Sequence, residues 1–143
     1  MLTVGDLMTT KVFTLLESDS LYTAKQIMEM ARVRHVPIVD ANESFIGLIT
    51  HRDMLALAVS KLSDIDPSTQ DELDAGTPLH EIMRTDVAIV SPGTLLRDAA
   101  HMLLEHKYGC LPVVDGKKLV GIITEADFLR LTISLMDAIE GQD

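Results

Sequence analysis

Two acidic side chains hold the same place in two copies of one short pattern. "GLITHRD" (47–53) ends in Asp53 and "GIITEAD" (121–127) ends in Asp127, each three residues after a threonine, Thr50 or Thr124. That spacing permits two kinds of chemistry. The threonine can cap a helix by accepting from the amide three residues on, while the carboxylate reaches back to the threonine's own N–H, a capping box. Alternatively, an ionised aspartate can accept from both hydroxyls of a sugar diol, as the acidic residue of dinucleotide-binding folds does. The third position of the box favours Glu or Gln, yet both copies carry the shorter Asp. The two roles are compatible for the threonine and compete for the aspartate. Gly47 and Gly121, heading each pattern, suit either close strand packing or backbone clearance for a ligand.

Cations gather around the first pattern and not the second. "RVRHVP" (32–37) sets Arg34 and His35 before Pro37, where "KYGCLP" (107–112) has Gly109 and Cys110 before Pro112. His51 and Arg52 follow Thr50, whereas Glu125 and Ala126 follow Thr124. A guanidinium offers paired donors to phosphate oxygens and a histidine adds another. An acid in a first helical turn suits the helix dipole but repels phosphate. A helix C-terminus decorated with cations accounts for Arg34 and His35 equally well one by one. Together, the asymmetry favours a phosphorylated group at the first copy. The second copy is expected to hold an uncharged or weakly charged group, or nothing.

The elements that position these residues follow from an internal repeat, the first thing to seek in a sequence. "HVPIVD" (35–40) matches "CLPVVD" (110–115), "DLM" (6–8) matches "EIM" (81–83) and Ala24 matches Ala99, all at an offset of 75. Past the turn the offset falls to 74, because "DANESF" is one residue longer than "DGKKL". In each copy a short strand, "VFTL" (12–15) or "VAIV" (87–90), comes first. Asp19 or Thr94 then offers an N-cap. Apolar residues at helical spacing follow, Leu21, Ala24, Ile27, Met28 and Ala31 in one copy and Leu96, Ala99, Met102 and Leu103 in the other. Two apolar runs around a polar turn make a hairpin, and a second helix covers roughly 51–62 or 125–139. The predicted fold class is α+β: two β-α-β-β-α repeats, residues 1–62 and 79–143, joined by an acidic linker at 63–78. A sheet covered on one face by its own helices must bury the other, so the repeats are expected to pack through their sheets.

Composition removes several functions. The 143 residues carry a net charge of −10, with 6 Lys/Arg against 12 Asp/Glu in residues 1–75 and 6 against 10 in the remainder. Without a basic cluster, nucleic acid is excluded as a partner. No apolar run nears the ~20 residues that span a bilayer, and no signal-peptide pattern opens the chain. With a single cysteine, Cys110, best read as a small buried apolar residue, the expected location is cytoplasmic. The linker begins D-x-D, but Ser68 and Thr69 stand where a calcium loop needs its fifth ligand and its glycine. His101 and Glu105, spaced for one helix face, are two ligands and not a metal site. No catalytic triad, P-loop or GxGxxG pattern occurs, so nothing argues positively for an enzyme.

The ordered, duplicated set of h-P-h-h-D and G-h-h-T-x-x-D resembles the CBS domain, named for cystathionine β-synthase, and the tandem resembles a Bateman module. The resemblance runs from Leu7 to about Leu135. It implies a pseudo-twofold pair with clefts between the copies, binding adenosine-containing ligands: AMP, ADP or ATP, and less so S-adenosylmethionine, with magnesium only beside ADP or ATP. It implies that Asp53 and Asp127 hold ribose and that Thr50 and Thr124 lie near ribose or phosphate. Arg34 and His35, assisted by Arg52, would contact phosphate. Val12, Val36, Pro37, Val87, Leu111 and Pro112 would line an adenine slot, although core packing explains each of the six singly. The implied role is a ligand-sensing regulator, homodimeric, acting in trans on a partner protein that the sequence does not identify. The alternative is a ligand-free assembly module that dimerises through helices such as "LRLTISLM" (129–136).

Overall fold

The computed structural model describes residues 1–60, 66–106 and 109–141. In chain order these form α1 (Val4–Leu7), β1 (Leu15–Leu16), α2 (Leu21–Ala31), β2 (His35–Val39), β3 (Phe45–Thr50), α3 (His51–Ser60), α4 (Pro67–Ala75), a 3-10 turn (Leu79–Glu81), α5 (Leu96–Glu105), β4 (Cys110–Asp115), β5 (Lys118–Thr124) and α6 (Glu125–Glu140). The architecture is mixed α and β with two repeats. The chain divides into two compact units. The first holds Val12–Val87 with Lys117–Leu119; the second holds Met1–Lys11, Ala88–Gly116 and the chain from Val120 onward.

In the first unit β2 pairs in parallel with β1 (Leu15 with Ile38) and antiparallel with β3, in a register that sets His35 opposite Thr50 and Pro37 opposite Leu48. Proline is tolerated in this strand because Leu48 turns its backbone groups the other way. Its N–H and C=O bond to Arg84, at 2.9 and 2.8 Å. The segment after the connector therefore adds a short antiparallel rung to β3. The core gathers Leu21, Ala24 and Met28 of α2 with Val36, Ile38 and Ile49 of the hairpin, and Leu79 completes it.

The second unit repeats this scheme. The β4–β5 hairpin takes Val90 as a parallel neighbour of Val113, and Thr9 as an antiparallel neighbour of Ile122 with both backbone bonds at 2.9 Å. Val4 joins Leu96, Ala99, Leu103, Leu111, Val113 and Ile123 in the core. Each unit is thus completed by the segment that leads into the other copy's first strand. That pairing gives the glycines their role. A Cβ on Gly47 would sit 2.6 Å from the Met83 sulfur and 3.0 Å from the Arg84 carbonyl oxygen, and on Gly121 2.8 Å from both the Met8 sulfur and the Thr9 carbonyl oxygen. Close strand packing, not clearance for a ligand, fills the space beside both.

Three local expectations change. The first strands shrink to Leu15–Leu16 and to the single rung at Val90, because only there does the extended run reach a hairpin strand. The helix caps move. Ser20, not Asp19, caps α2 by accepting from the Thr23 amide at 3.2 Å, and Leu95, not Thr94, stands at the N-cap of α5. Asp19 instead accepts from the Leu16 amide (2.7 Å) and Thr94 from the Ser91 amide (3.0 Å), so both spend their oxygens on the turn before the helix. Finally, the acidic connector contains a helix. Asp66 caps α4 through the Thr69 amide (2.8 Å), Pro67 opens it and Gly76 ends it, each the favoured residue at its position. Asp74, fully buried, anchors α4 to α2 through Lys25 at 2.5 Å and accepts from Gln70 at 2.9 Å. Residues 61–65 of the expected linker and second helix lie outside the described residues. No helix among the described residues is long and apolar enough to cross a membrane.

Candidate functional site

In the first unit, the corner where β3 becomes α3 collects the polar residues. Thr50 closes the strand; its hydroxyl accepts from the Asp53 amide at 3.1 Å. The His51 amide donates to the Arg34 carbonyl at 2.8 Å, tying the end of α2's exit to the start of α3. His35 faces Thr50 across the ladder, within side-chain reach. The Asp53 carboxylate meets Arg84. Nε donates at 2.9 and 3.1 Å to its two oxygens, and Nη2 donates to Oδ1 at 2.6 Å. The Asp53 side chain is 16% exposed and that of Arg84 44%. Partial burial pushes the Asp53 carboxyl upward, but the Arg84 guanidinium and the Thr50 donors outweigh it and hold the group below its ordinary value. The side chain is therefore an anion near neutral pH.

The matching corner of the second unit is closed. Asp127 Oδ2 accepts from the Thr124 amide at 2.8 Å and its hydroxyl at 3.3 Å, completing a capping box. Oδ1 accepts from Arg130 Nη2 at 2.7 Å and from the Thr9 hydroxyl at 3.4 Å. The residue is 5% exposed. The short aspartate reaches its cap after all, as Asp6 does with the Thr3 amide ahead of α1 at 2.8 Å. The preference for Glu or Gln at that position was therefore no argument against a box.

Arg34, His35, Thr50, Arg52 and Asp53 thus belong to one end of one hairpin and its following helix. Arg34 and Arg52 are exposed, while His35 and Asp53 are half-buried. Val36 and Pro37, the next residues of β2, are fully buried, Val36 within the first core; Val12 and Val87 are half-buried in the same unit. In the second unit Leu111 lies in the core, Pro112 is buried, and Thr124 and Asp127 are bound as above. Sequence reasoning missed Arg84 and its counterpart Thr9. The 75-residue offset aligns them, but only the strand pairing brings each against its aspartate. Arg34, His35, His51, Arg52 and Arg84 belong to the same unit as Asp53. Asp127 shares its first turn with Glu125. Cys110 is fully buried and desolvation pushes its thiol up to about 12, which silences it as a nucleophile. Among the described residues no three His, Cys, Asp or Glu side chains stand together to hold a metal ion.

The CBS domain pattern matches residues 4–60 and again residues 79–134, so the chain belongs to the CBS domain family and carries two tandem copies. Three solved structures bear this out. A Vibrio cholerae protein described as an acetoin utilization protein, AcuB, is 42% identical, with a TM-score of 0.82 over 100% of this chain and 98% of its own. CBSX2 of Arabidopsis thaliana in complex with AMP is 29% identical, with a TM-score of 0.79 over 95% and 99% of the two chains. The CBS domain pair of MJ0100, in complex with 5′-methylthioadenosine and S-adenosyl-L-methionine, is 26% identical, with a TM-score of 0.75 over 92% and 99%. The chain spans only part of several curated relatives: 42% of the uncharacterized protein MJ1225 of Methanocaldococcus jannaschii, 64% of chloroplastic CBSX2 and 24% of a Methanococcoides burtonii homoserine O-acetyltransferase.

Proposed function

We propose that this chain is a non-catalytic regulatory module that senses an adenine nucleotide in the cytoplasm and acts, as a homodimer, on a partner protein in trans. One observation carries the reading: an ionised, partly exposed carboxylate, Asp53, at the start of a helix whose corner also carries Arg34, His35, His51 and Arg52. Asp53 takes the ribose diol and Thr50 the ribose or phosphate edge. Arg34, His35 and Arg52 take the phosphate, helped by the amino end of α3. Val12 and Val87 offer apolar surface to adenine, and Val36 and Pro37, whose side chains are buried, offer backbone groups. In the other copy Thr124 and Asp127, with Leu111 and Pro112, take an uncharged adenosine group or none. The AMP bound to CBSX2 and the adenosine-containing ligands bound to MJ0100 support this ligand class. AMP, ADP or ATP ranks ahead of S-adenosylmethionine because of the cations, and magnesium accompanies only ADP or ATP. The ligand regulates by binding one arrangement of the module more tightly than another.

Thermal unfolding with AMP, ADP, ATP and S-adenosylmethionine tests the reading. A ligand at ~100 times its Kd stabilises by about 2.7 kcal/mol, a shift on the order of 5–10 °C for a chain of this size. No shift with any of them overturns the proposal. The full-length likeness to AcuB supports acetoin utilization as the setting in which the sensor acts; a deletion strain that grows normally on acetoin would argue against that setting.

A second reading, ligand-free assembly, draws on a different observation. Leu129, Ile133, Met136 and Ile139 of α6 are each more than half exposed, an apolar stripe at helical spacing. If assembly is the sole role, Ile133→Asp yields monomers by sedimentation and no adenosine compound alters the melting temperature.

A further inference from the structure

We propose that Arg84 is an internal counter-ligand of Asp53, a gate that a sugar diol must displace and that makes the first copy's corner prefer phosphorylated over unphosphorylated nucleosides. The inference rests on the nucleotide reading above and adds a specificity residue to it. A carboxylate offers about four acceptor positions. Three contacts from Arg84, at 2.6, 2.9 and 3.1 Å, and the Thr50 donors use them. Two ribose hydroxyls can enter only as the guanidinium leaves.

The fold supports such an exchange. Arg84 is pinned at its backbone by both bonds to Leu48, two residues before Thr50, so its Cα stays beside the corner wherever its side chain points. That side chain is 44% exposed and can turn outward without disturbing the core. Leaving Asp53 costs a fork of charge-assisted bonds. A nucleoside returns nothing to the guanidinium in exchange. A phosphate returns the same kind of paired bond, so the loss is made good only when the ligand carries one. Specificity then arises from a penalty imposed on the wrong ligand as much as from attraction to the right one. The second copy draws its counter-ion from a different place and with a single contact, Arg130 Nη2 at 2.7 Å. At the aligned position Thr9 reaches Asp127 only at 3.4 Å, and Asp127 is held instead by its own helix, through Thr124 and Arg130.

The test is Arg84→Thr, which installs the second copy's residue, with Arg84→Lys as a companion that keeps the charge and loses the fork. Calorimetric Kd values for adenosine and AMP are measured for the wild-type chain and both variants at one ionic strength, with circular dichroism to verify folding. The expected result is at least fivefold tighter adenosine binding in Arg84→Thr and at least a tenfold fall in the ratio of adenosine to AMP Kd, with Arg84→Lys between. A ratio unchanged within twofold in both variants, while the wild type binds AMP, overturns the gate and leaves the nucleotide reading standing. Failure of all three proteins to bind either compound overturns both. Should Arg84→Thr fail to fold, the Arg84→Lys ratio alone decides: unchanged within twofold, it sinks the gate.

Discussion

The two strand-to-helix corners share a backbone and differ in what their aspartates do. Asp127 is spent on structure: it closes a capping box, takes Arg130 from its own helix, and is nearly buried. Asp53 leans on a residue 31 positions away, with 16% of its side chain still open to solvent. Both motifs have therefore yielded a capped helix end with a guanidinium on the acid, and they differ in where that guanidinium comes from: a distant segment for Asp53, the same helix for Asp127. The lesson is that a repeated motif fixes geometry and leaves chemistry to the residues facing it. Here those are Arg84 and Thr9, from segments outside the motif.

Substitution at the two acids should break the symmetry most visibly. Asp53→Ala is expected to weaken nucleotide binding by about 1.5–3 kcal/mol, on the order of 10- to 150-fold, the worth of a hydrogen bond to a charged group. Asp127→Ala should cost about 1 kcal/mol of stability as a lost cap and leave AMP affinity within about threefold. Calorimetry and urea unfolding measure the two effects, and equal losses of affinity would erase the proposed division of labour. Next in size are the glycines. Gly121→Ala and Gly47→Ala should each destabilise by about 1–3 kcal/mol through overpacking, Gly121→Ala more, because its new carbon would press 2.8 Å from a backbone oxygen where Gly47 has 3.0 Å. Urea midpoints decide the order. Ser20→Ala should cost about 1 kcal/mol, and Asp19→Ala should not uncap α2.

The smallest effect is one of pH. Asp53 titrates below its unfolded value. Its contribution to stability is thus present above the unfolded pKa and lost as pH falls through the lower folded one. Arg84→Thr should move the Asp53 titration upward and narrow that window, as carbon-detected NMR of the carboxyl would report.

Much of this was legible beforehand. The repeat, the hairpins and the long helices announce themselves because burial imposes a strict period on apolar residues. Thr50, Asp53, Arg34 and His35 are local to one hairpin, so their company could be foreseen. The caps slipped by one residue because Asp19 and Thr94 can bond the turn before the helix as readily as the helix itself. The connector helix α4 had every terminal signal in Asp66, Pro67 and Gly76. It lacked an apolar stripe, since it docks through the buried Asp74 carboxylate and Lys25. Arg84 was hidden for a deeper reason. Nothing within "EIMRT" tells that its backbone will pair with Leu48, 36 residues earlier.

That pairing has a bearing on dissection. Severed within the connector, the amino-terminal half would keep the hairpin but surrender Leu79, Met83 and Arg84, leaving β3 with a bare hydrogen-bonding edge. The carboxy-terminal half would forfeit Val4, Met8 and Thr9 in the same way. Neither piece should fold cleanly by itself, yet mixed in one tube the two should reconstitute each other, as split halves of an interlocked molecule do.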